Sequence, residues 1–120
     1  MLFKAGELTR VVVEKPRDGV GEMDCLFAFQ LGKAPAGSAY QAVASQTLMP
    51  GSVLGYHQHT ENEELYVILS GYGTFLDENR QERQVGPGDM TLTLKGQSHG
   101  LANTGNAPLI FLAAIAKNEG

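Results

Sequence analysis

The sequence predicts an all-β protein, an antiparallel double-sheet jelly-roll barrel with little helix, and three observations carry that expectation. Apolar residues come in short runs bounded by Gly, Pro, Asn or Asp, as in β sandwiches and barrels. Glycine is in excess, 15 of 120 residues, and is spread along the chain at corner positions instead of pooled in a linker. No stretch longer than a turn or two combines a 3.6-residue period with capping residues, so helix is expected only as a turn near Lys4 to Leu8.

Ten strands follow in order. Leu8 to Val13 runs into a broken segment, Glu14 to Glu22, where Pro16, Asp18, Gly19 and Gly21 interrupt any periodicity and a loose region is expected. Cys25 to Leu31 is closed by a second loop, Leu31 to Ser38, with Gly32, Pro35 and Gly37. Tyr40 to Met49 and Val53 to His59 come next, separated by Pro50 and Gly51, and Glu64 to Leu69 follows a polar corner at Thr60 to Glu63. Gly73 to Asp77, Glu82 to Val85, Asp89 to Leu94, Ser98 to Ala102 and Pro108 to Ile115 complete the set. Short connections at Ser70 to Gly73, Asp77 to Gln81 and Asn103 to Pro108 predict antiparallel hairpins. An antiparallel sheet of this size must hide its edges, and closing into a barrel does so.

Residues 1–120 are expected to form one domain, since there is no repeat, low-complexity tract or charge block to divide them. Nine Lys plus Arg against 13 Asp plus Glu leave a net charge of -4 with no basic cluster, so nucleic acid is not an expected partner. The longest apolar run, Leu109 to Ala116, is far shorter than the ~20 residues that span a bilayer, so no membrane helix is expected. Lys4, Glu7 and Arg10 interrupt the N-terminus, which argues against a signal peptide. With Cys25 alone no intramolecular disulfide can form, and the cytoplasm is the expected compartment. Cys25, Met23, Met49 and Met90 read as core filling.

Chemistry concentrates on the histidines. His57 and His59 stand two apart on a predicted strand and therefore share a face. Glu64 opens the next strand after a short corner, with Glu61 and Glu63 as competing carboxylates, and His99 opens a strand far along the chain. Three imidazoles and a carboxylate are a transition-metal ligand set. A His-x-His pair by itself is a weak signal, because lone strand histidines are commonly surface or core residues.

The frame around the histidines sharpens the reading. Gly51, five residues, His57, one, His59, four, Glu64, six and Gly71 form one pattern; Gly88, five residues, Leu94, Lys95, Gly96, two, His99, three and Asn103 form another. Together these resemble the two signatures of the cupin superfamily, over residues 51 to 71 and 88 to 103. Leu94 departs where that pattern prefers Pro, which removes a rigid φ but no ligand. Asn103 is expected to tie down a turn through side-chain to backbone hydrogen bonds.

The resemblance implies a small jelly-roll barrel in which His57, His59, Glu64 and His99 hold one divalent transition ion per chain: Fe, Mn, Ni, Co or Zn. The six-residue gap to Gly71 selects Glu64 over Glu61 and Glu63. Such a set leaves one or two positions open on an octahedral ion and none on tetrahedral zinc. Tyr66 and Gln97, on the faces of Glu64 and His99, are the pocket candidates, and no general acid or base is identified. The expected function is metal-dependent isomerisation, oxygenation or decarboxylation of a small polar molecule such as a sugar, uronate, keto acid or dicarboxylate. The alternative is a module that binds or senses a small molecule or metal without turnover. Arg10, Arg17, Arg80 and Arg83 fall near the N-terminus or in the hairpin after Gly73, which argues against dianionic ligands of the oxalate decarboxylase or sugar-phosphate isomerase kind. A charged fraction of 18%, below the usual ~25%, together with the habit of small cupins, implies a homodimer.

Overall fold

A computed structural model describes residues 1–120 and contains ten strands: β1 (Thr9–Glu14), β2 (Glu22–Phe29), β3 (Tyr40–Leu48), β4 (Val53–Gln58), β5 (Asn62–Ser70), β6 (Gly73–Leu76), β7 (Glu82–Val85), β8 (Met90–Thr93), β9 (Ser98–Ala102) and β10 (Leu109–Lys117). Each matches a run expected from the sequence, with ends displaced by a few residues. The strands make a six-stranded sheet, ordered β1-β2-β3-β10-β5-β8, and a four-stranded sheet, ordered β4-β9-β6-β7, with every pairing antiparallel. This is the all-β, double-sheet jelly roll.

Side-chain alternation builds the core between the sheets. On β3 the buried residues are Ala42, Ala44, Gln46 and Leu48; on β5 they are Glu64, Tyr66 and Ile68. Phe111, Leu109, Leu101, Phe75 and Cys25 complete an apolar cluster that underlies one polar corner at Glu64. Tyr66 packs edge-on against Phe111 with ring centroids 5.0 Å apart, which anchors the ring that the site later uses.

Three expectations need correction. Of the short connections, only Asp77 to Gln81 closes a hairpin, between β6 and β7; Ser70 to Gly73 and Asn103 to Pro108 carry the chain from one sheet to the other. In a jelly roll most consecutive strands pair with distant ones, so a tight corner also serves as a sheet crossing. Gly71 makes one such corner at φ 83°, where a Cβ would collide with the backbone of Pro108. Met49 and Met90 are 55% and 69% exposed, so only Met23 of the three is core.

The Glu14 to Glu22 segment is built rather than loose. It folds into a 3-10 turn, Pro16–Asp18, with Pro16 buried, and Val20 forms an antiparallel bridge with Val53 through N–H to O distances of 3.0 and 2.8 Å. The expected turn near the N-terminus is a 3-10 turn over Ala5–Glu7. Asn103 ties its corner as anticipated: its amide nitrogen donates to the carbonyls of Leu48 (2.7 Å) and Ala107 (2.8 Å), and its oxygen accepts from Gly105 N–H. No helix is long and apolar enough to cross a membrane.

Candidate metal centre

A bulge decides which way the histidines of β4 point. Leu54 pairs with Leu101 and His57 pairs with His99, so Gly55 and Tyr56 together oppose Gly100 alone. The extra residue shifts parity: Leu54 faces the core before it, and His57 and His59 face inward after it. Tyr56 turns outward instead, where its hydroxyl donates to the carbonyls of Asp77 and Glu78 at 2.8 and 3.1 Å. His59 lies one residue beyond β4 and stays in register because its N–H donates to the carbonyl of Gln97, at 2.9 Å.

The structure brings together all four sequence-predicted ligand residues. One ligand atom from each of His57, His59, Glu64 and His99 lies within 4.8 Å of the others. His99 Nε2 is 3.1 Å from His57 Nε2 and 3.0 Å from His59 Nε2, while Glu64 Oε1 is 3.0 Å from His59 Nε2 and 3.2 Å from His99 Nε2. Glu64 is the third residue of β5 rather than its first. Glu63 faces the other way, toward Asn118 at 3.3 Å, and Glu61 is exposed, so neither competes.

The far nitrogens of the rings are tied off separately. His57 Nδ1 sits 2.6 Å from the carbonyl of Gly55, His59 Nδ1 2.7 Å from Oδ1 of Asn62, and His99 Nδ1 2.7 Å from the Thr93 hydroxyl. A carbonyl oxygen can only accept, so Nδ1 of His57 and of His59 carries a proton, and each ring when neutral presents a lone pair at Nε2. The Thr93 hydroxyl can accept from His99 Nδ1 in the same way, which leaves a lone pair on Nε2 of each neutral ring, and lone pairs 3.0 to 3.1 Å apart repel unless a cation lies between them. Donors about 2.1 Å from one shared ion and at right angles to each other stand about 3.0 Å apart, so the donor set fits a first-row divalent ion.

Electrostatics point the same way. Burial lowers His57 to about 4, against a partial counter-pull from the Gly55 carbonyl. Burial also lowers His99, in spite of Glu64. In His59, burial is outweighed by hydrogen bonds to Glu64 and Asn62, and the shift is upward. Burial would raise Glu64, but hydrogen bonds from His59 and His99 prevail and hold it at about 2. The carboxylate is therefore charged and His57 and His99 are held neutral, as ligation needs, while Glu64 draws His59 toward its charged form, a proton that an incoming cation would displace.

Of the two pocket candidates, Tyr66 lies against the cluster and lines the adjoining cavity, and Gln97 does not line it. Tyr66 is 1% exposed and stacks on His99 with centroids 4.8 Å apart and planes 16° apart, and its hydroxyl lies 3.3 Å from His99 Nε2. Burial, then the charge of Glu64, raises its phenol well above the usual value, so it stays protonated. Gln97 instead accepts from the N–H of Leu94 at 2.9 Å, closing its own turn.

His57, Glu64 and Tyr66 open onto a cavity of about 350 Å³, a size suited to a small ligand. Val13, Met23, Phe27, Leu54 and Ile115 form its apolar wall, and Gln30, Gln46 and Arg17 supply the remaining polar groups. Sequence reasoning missed all three of these. Gln46 was detectable as a polar residue at a buried parity position of β3, but nothing local marks Arg17. Its presence removes the objection to anionic ligands, which assumed that no arginine reaches the pocket.

A double-sheet β barrel whose core carries a cluster of three histidines and one carboxylate that could hold a metal ion defines the class of protein. The family model for the cupin domain matches residues 44–115, and the chain belongs to that family. It is 36% identical over 115 residues to the oxalate-binding protein of Thermotoga maritima, covering 96% of this chain and 93% of the relative. The fold is also similar to the crystal structure of a predicted oxalate decarboxylase from Thermotoga maritima, with TM-score 0.86, 32% identity, and coverage of 98% of this chain and 100% of that one. KdgF from Halomonas sp., at TM-score 0.76 and 14% identity over 99% of this chain and 96% of the other, shares the fold.

Proposed function

We propose that the protein holds one divalent transition ion through His57, His59, Glu64 and His99 and uses it to bind a small carboxylate, with oxalate as the first candidate. The observation that carries this reading is the convergence of three Nε2 atoms and one carboxylate oxygen while each Nδ1 has a partner elsewhere. A bound ion would offer open coordination positions to the ligand's oxygens and draw charge from them. Around it the chain supplies orientation: the Tyr66 hydroxyl remains a donor, Gln46 adds a buried amide, and the apolar wall keeps water from competing. The oxalate-binding relative, at its level of identity and coverage, supports the choice of ligand.

Turnover of the same ligand is the second reading, and it rests on Tyr66, a hydroxyl 3.3 Å from His99 Nε2. The proposal extends to one domain over residues 1–120, to the cytoplasm on the strength of a lone buried thiol, and to a homodimer.

Elemental analysis of protein purified without chelator should find about one transition ion per chain, and His57→Ala with His59→Ala should abolish it. Calorimetric titration of the loaded protein with oxalate, and with chelator-treated protein as control, tests the ligand. Unchanged metal content in the double variant, or equal oxalate binding with and without metal, rejects the assignment. Oxygen uptake and product mass in the same samples decide between binding and turnover.

A further inference from the structure

Arg17 is positioned in a way that packing alone does not explain. Three of the four arginines have side-chain partners: Arg10 pairs with Asp24 at 2.8 Å, Arg83 with Asp77 at 3.8 Å, and Arg80 lies over the Tyr56 ring at 4.2 Å. Arg17 has none, and it lines the same cavity as His57, Glu64 and Tyr66. Its charge is felt at all three histidines.

The backbone that presents it is strained. Arg17 sits at φ 51°, ψ 45°, between Lys15 at φ 46° and Asp18 at φ 59°, so three non-glycine residues in four occupy the left-handed region. Such conformations are costly and persist where the surroundings impose them, with a concentration at functional sites. Here the surroundings are glycines. A Cβ on Gly55 would collide with the carbonyl of Arg17, and one on Gly19 would collide with the carbonyl of Val53. The turn is therefore seated directly on the β4 bulge, and the same Gly55 whose carbonyl holds His57 fixes the position of Arg17.

We infer that Arg17 is the specificity-determining residue of the site: its guanidinium takes the anionic end of the ligand that points away from the four ligand residues. The ligand class is then a short dicarboxylate, and a monocarboxylate of similar size lacks the group that Arg17 reads. This rests on the metal-dependent carboxylate reading above and goes beyond it by assigning the second anionic contact to a residue outside both cupin motifs.

The test is calorimetric titration of metal-loaded wild type, Arg17→Gln, Arg17→Lys and Arg17→Gly with oxalate and with glycolate. Metal content and thermal midpoint are recorded for each variant. Arg17→Gln should weaken oxalate binding at least tenfold and glycolate binding no more than threefold, with metal content unchanged. Arg17→Lys should fall between, since it keeps the charge but loses the bidentate fork. Arg17→Gly relieves the left-handed backbone, so it should match or exceed the wild-type midpoint while losing oxalate affinity like Arg17→Gln. Wild-type binding of oxalate that survives within twofold in Arg17→Gln, or an equal loss for both ligands, overturns the assignment and leaves the metal reading intact. If loaded wild type binds neither ligand, both readings fall.

Discussion

Asn62 holds His59 in place: its amide oxygen lies 2.7 Å from Nδ1 of the imidazole, while its nitrogen donates to Oε1 of Gln41 at 3.1 Å. Because the nitrogen is engaged by Gln41, the oxygen must face the ring, which settles the tautomer of His59. Partners of this kind typically contribute 10- to 100-fold to metal affinity. Asn62→Leu should therefore weaken metal binding by about that factor with little change in secondary structure, whereas Asn62→Asp should retain it. Competition against a chelator of known affinity measures this, and an unaltered affinity in Asn62→Leu would show that Asn62 is incidental.

The metal-free protein should lose stability toward acid. His57 is lowered from 6.5 to about 4, so through that interval the unfolded chain takes up a proton that the folded chain refuses, and stability falls with pH. His99 is also lowered and acts in the same sense, and Glu64, lowered to about 2, continues the loss below 4.5. His59 is raised and works oppositely, contributing stability below 6.5 that is lost as pH rises through its own higher value. Two lowered imidazoles outweigh one raised, so the chelator-treated midpoint should drop between pH 7 and pH 4. Replacing His57 with Ala should flatten the upper part of that drop. A midpoint that climbs steadily toward pH 4 contradicts this account.

Gly55→Ala tests the seat of the site. The added methyl would meet the carbonyl of Arg17, and relief requires moving either the Pro16–Asp18 turn or the β4 bulge. Destabilisation of about 1–3 kcal/mol is expected in chemical denaturation, and metal affinity should fall with it because the Gly55 carbonyl positions His57. A neutral effect on both would mean that the turn is free to shift.

The outer face of the six-stranded sheet should be the dimer contact. Leu65 and Leu92 stand directly opposite each other across β5 and β8, 36% and 57% exposed, with Met90 at 69% beside them and Leu26 at 38% farther across the sheet. Sedimentation at micromolar concentration should find a dimer for the wild type and a monomer for Leu65→Lys with Leu92→Lys, since charges cannot be buried there unpaired. A monomeric wild type ends the proposal.

The number, order and nature of the strands were legible in the sequence, because period-two apolar runs and Gly or Pro boundaries are local signals that act within a few residues. The cluster that could hold a metal was legible too, through spacing: His57, His59, Glu64 and His99 sit in a frame of glycines that names the corners. Which strands pair was not legible, since a short corner such as Ser70 to Gly73 can close a hairpin or cross between sheets, and only the packing of two inner faces chooses. The same limit applied to Gln97, whose parity placed it near His99 but whose amide closes the Leu94 turn instead.

Two features belong to the tertiary structure alone. Strict alternation from the core residue Leu54 would send His57 and His59 outward, and the inward direction exists because Gly55 and Tyr56 bulge against Gly100, a two-to-one pairing set by the neighbouring strand. Arg17 reaches the cavity because Gly19 and Gly55 bring two distant backbones into contact, an approach that no signal within its own segment encodes. The residues available for chemistry were written in the order of the chain. Their direction and company depended on non-local contacts, whose energies are assigned only when the sheets close on each other.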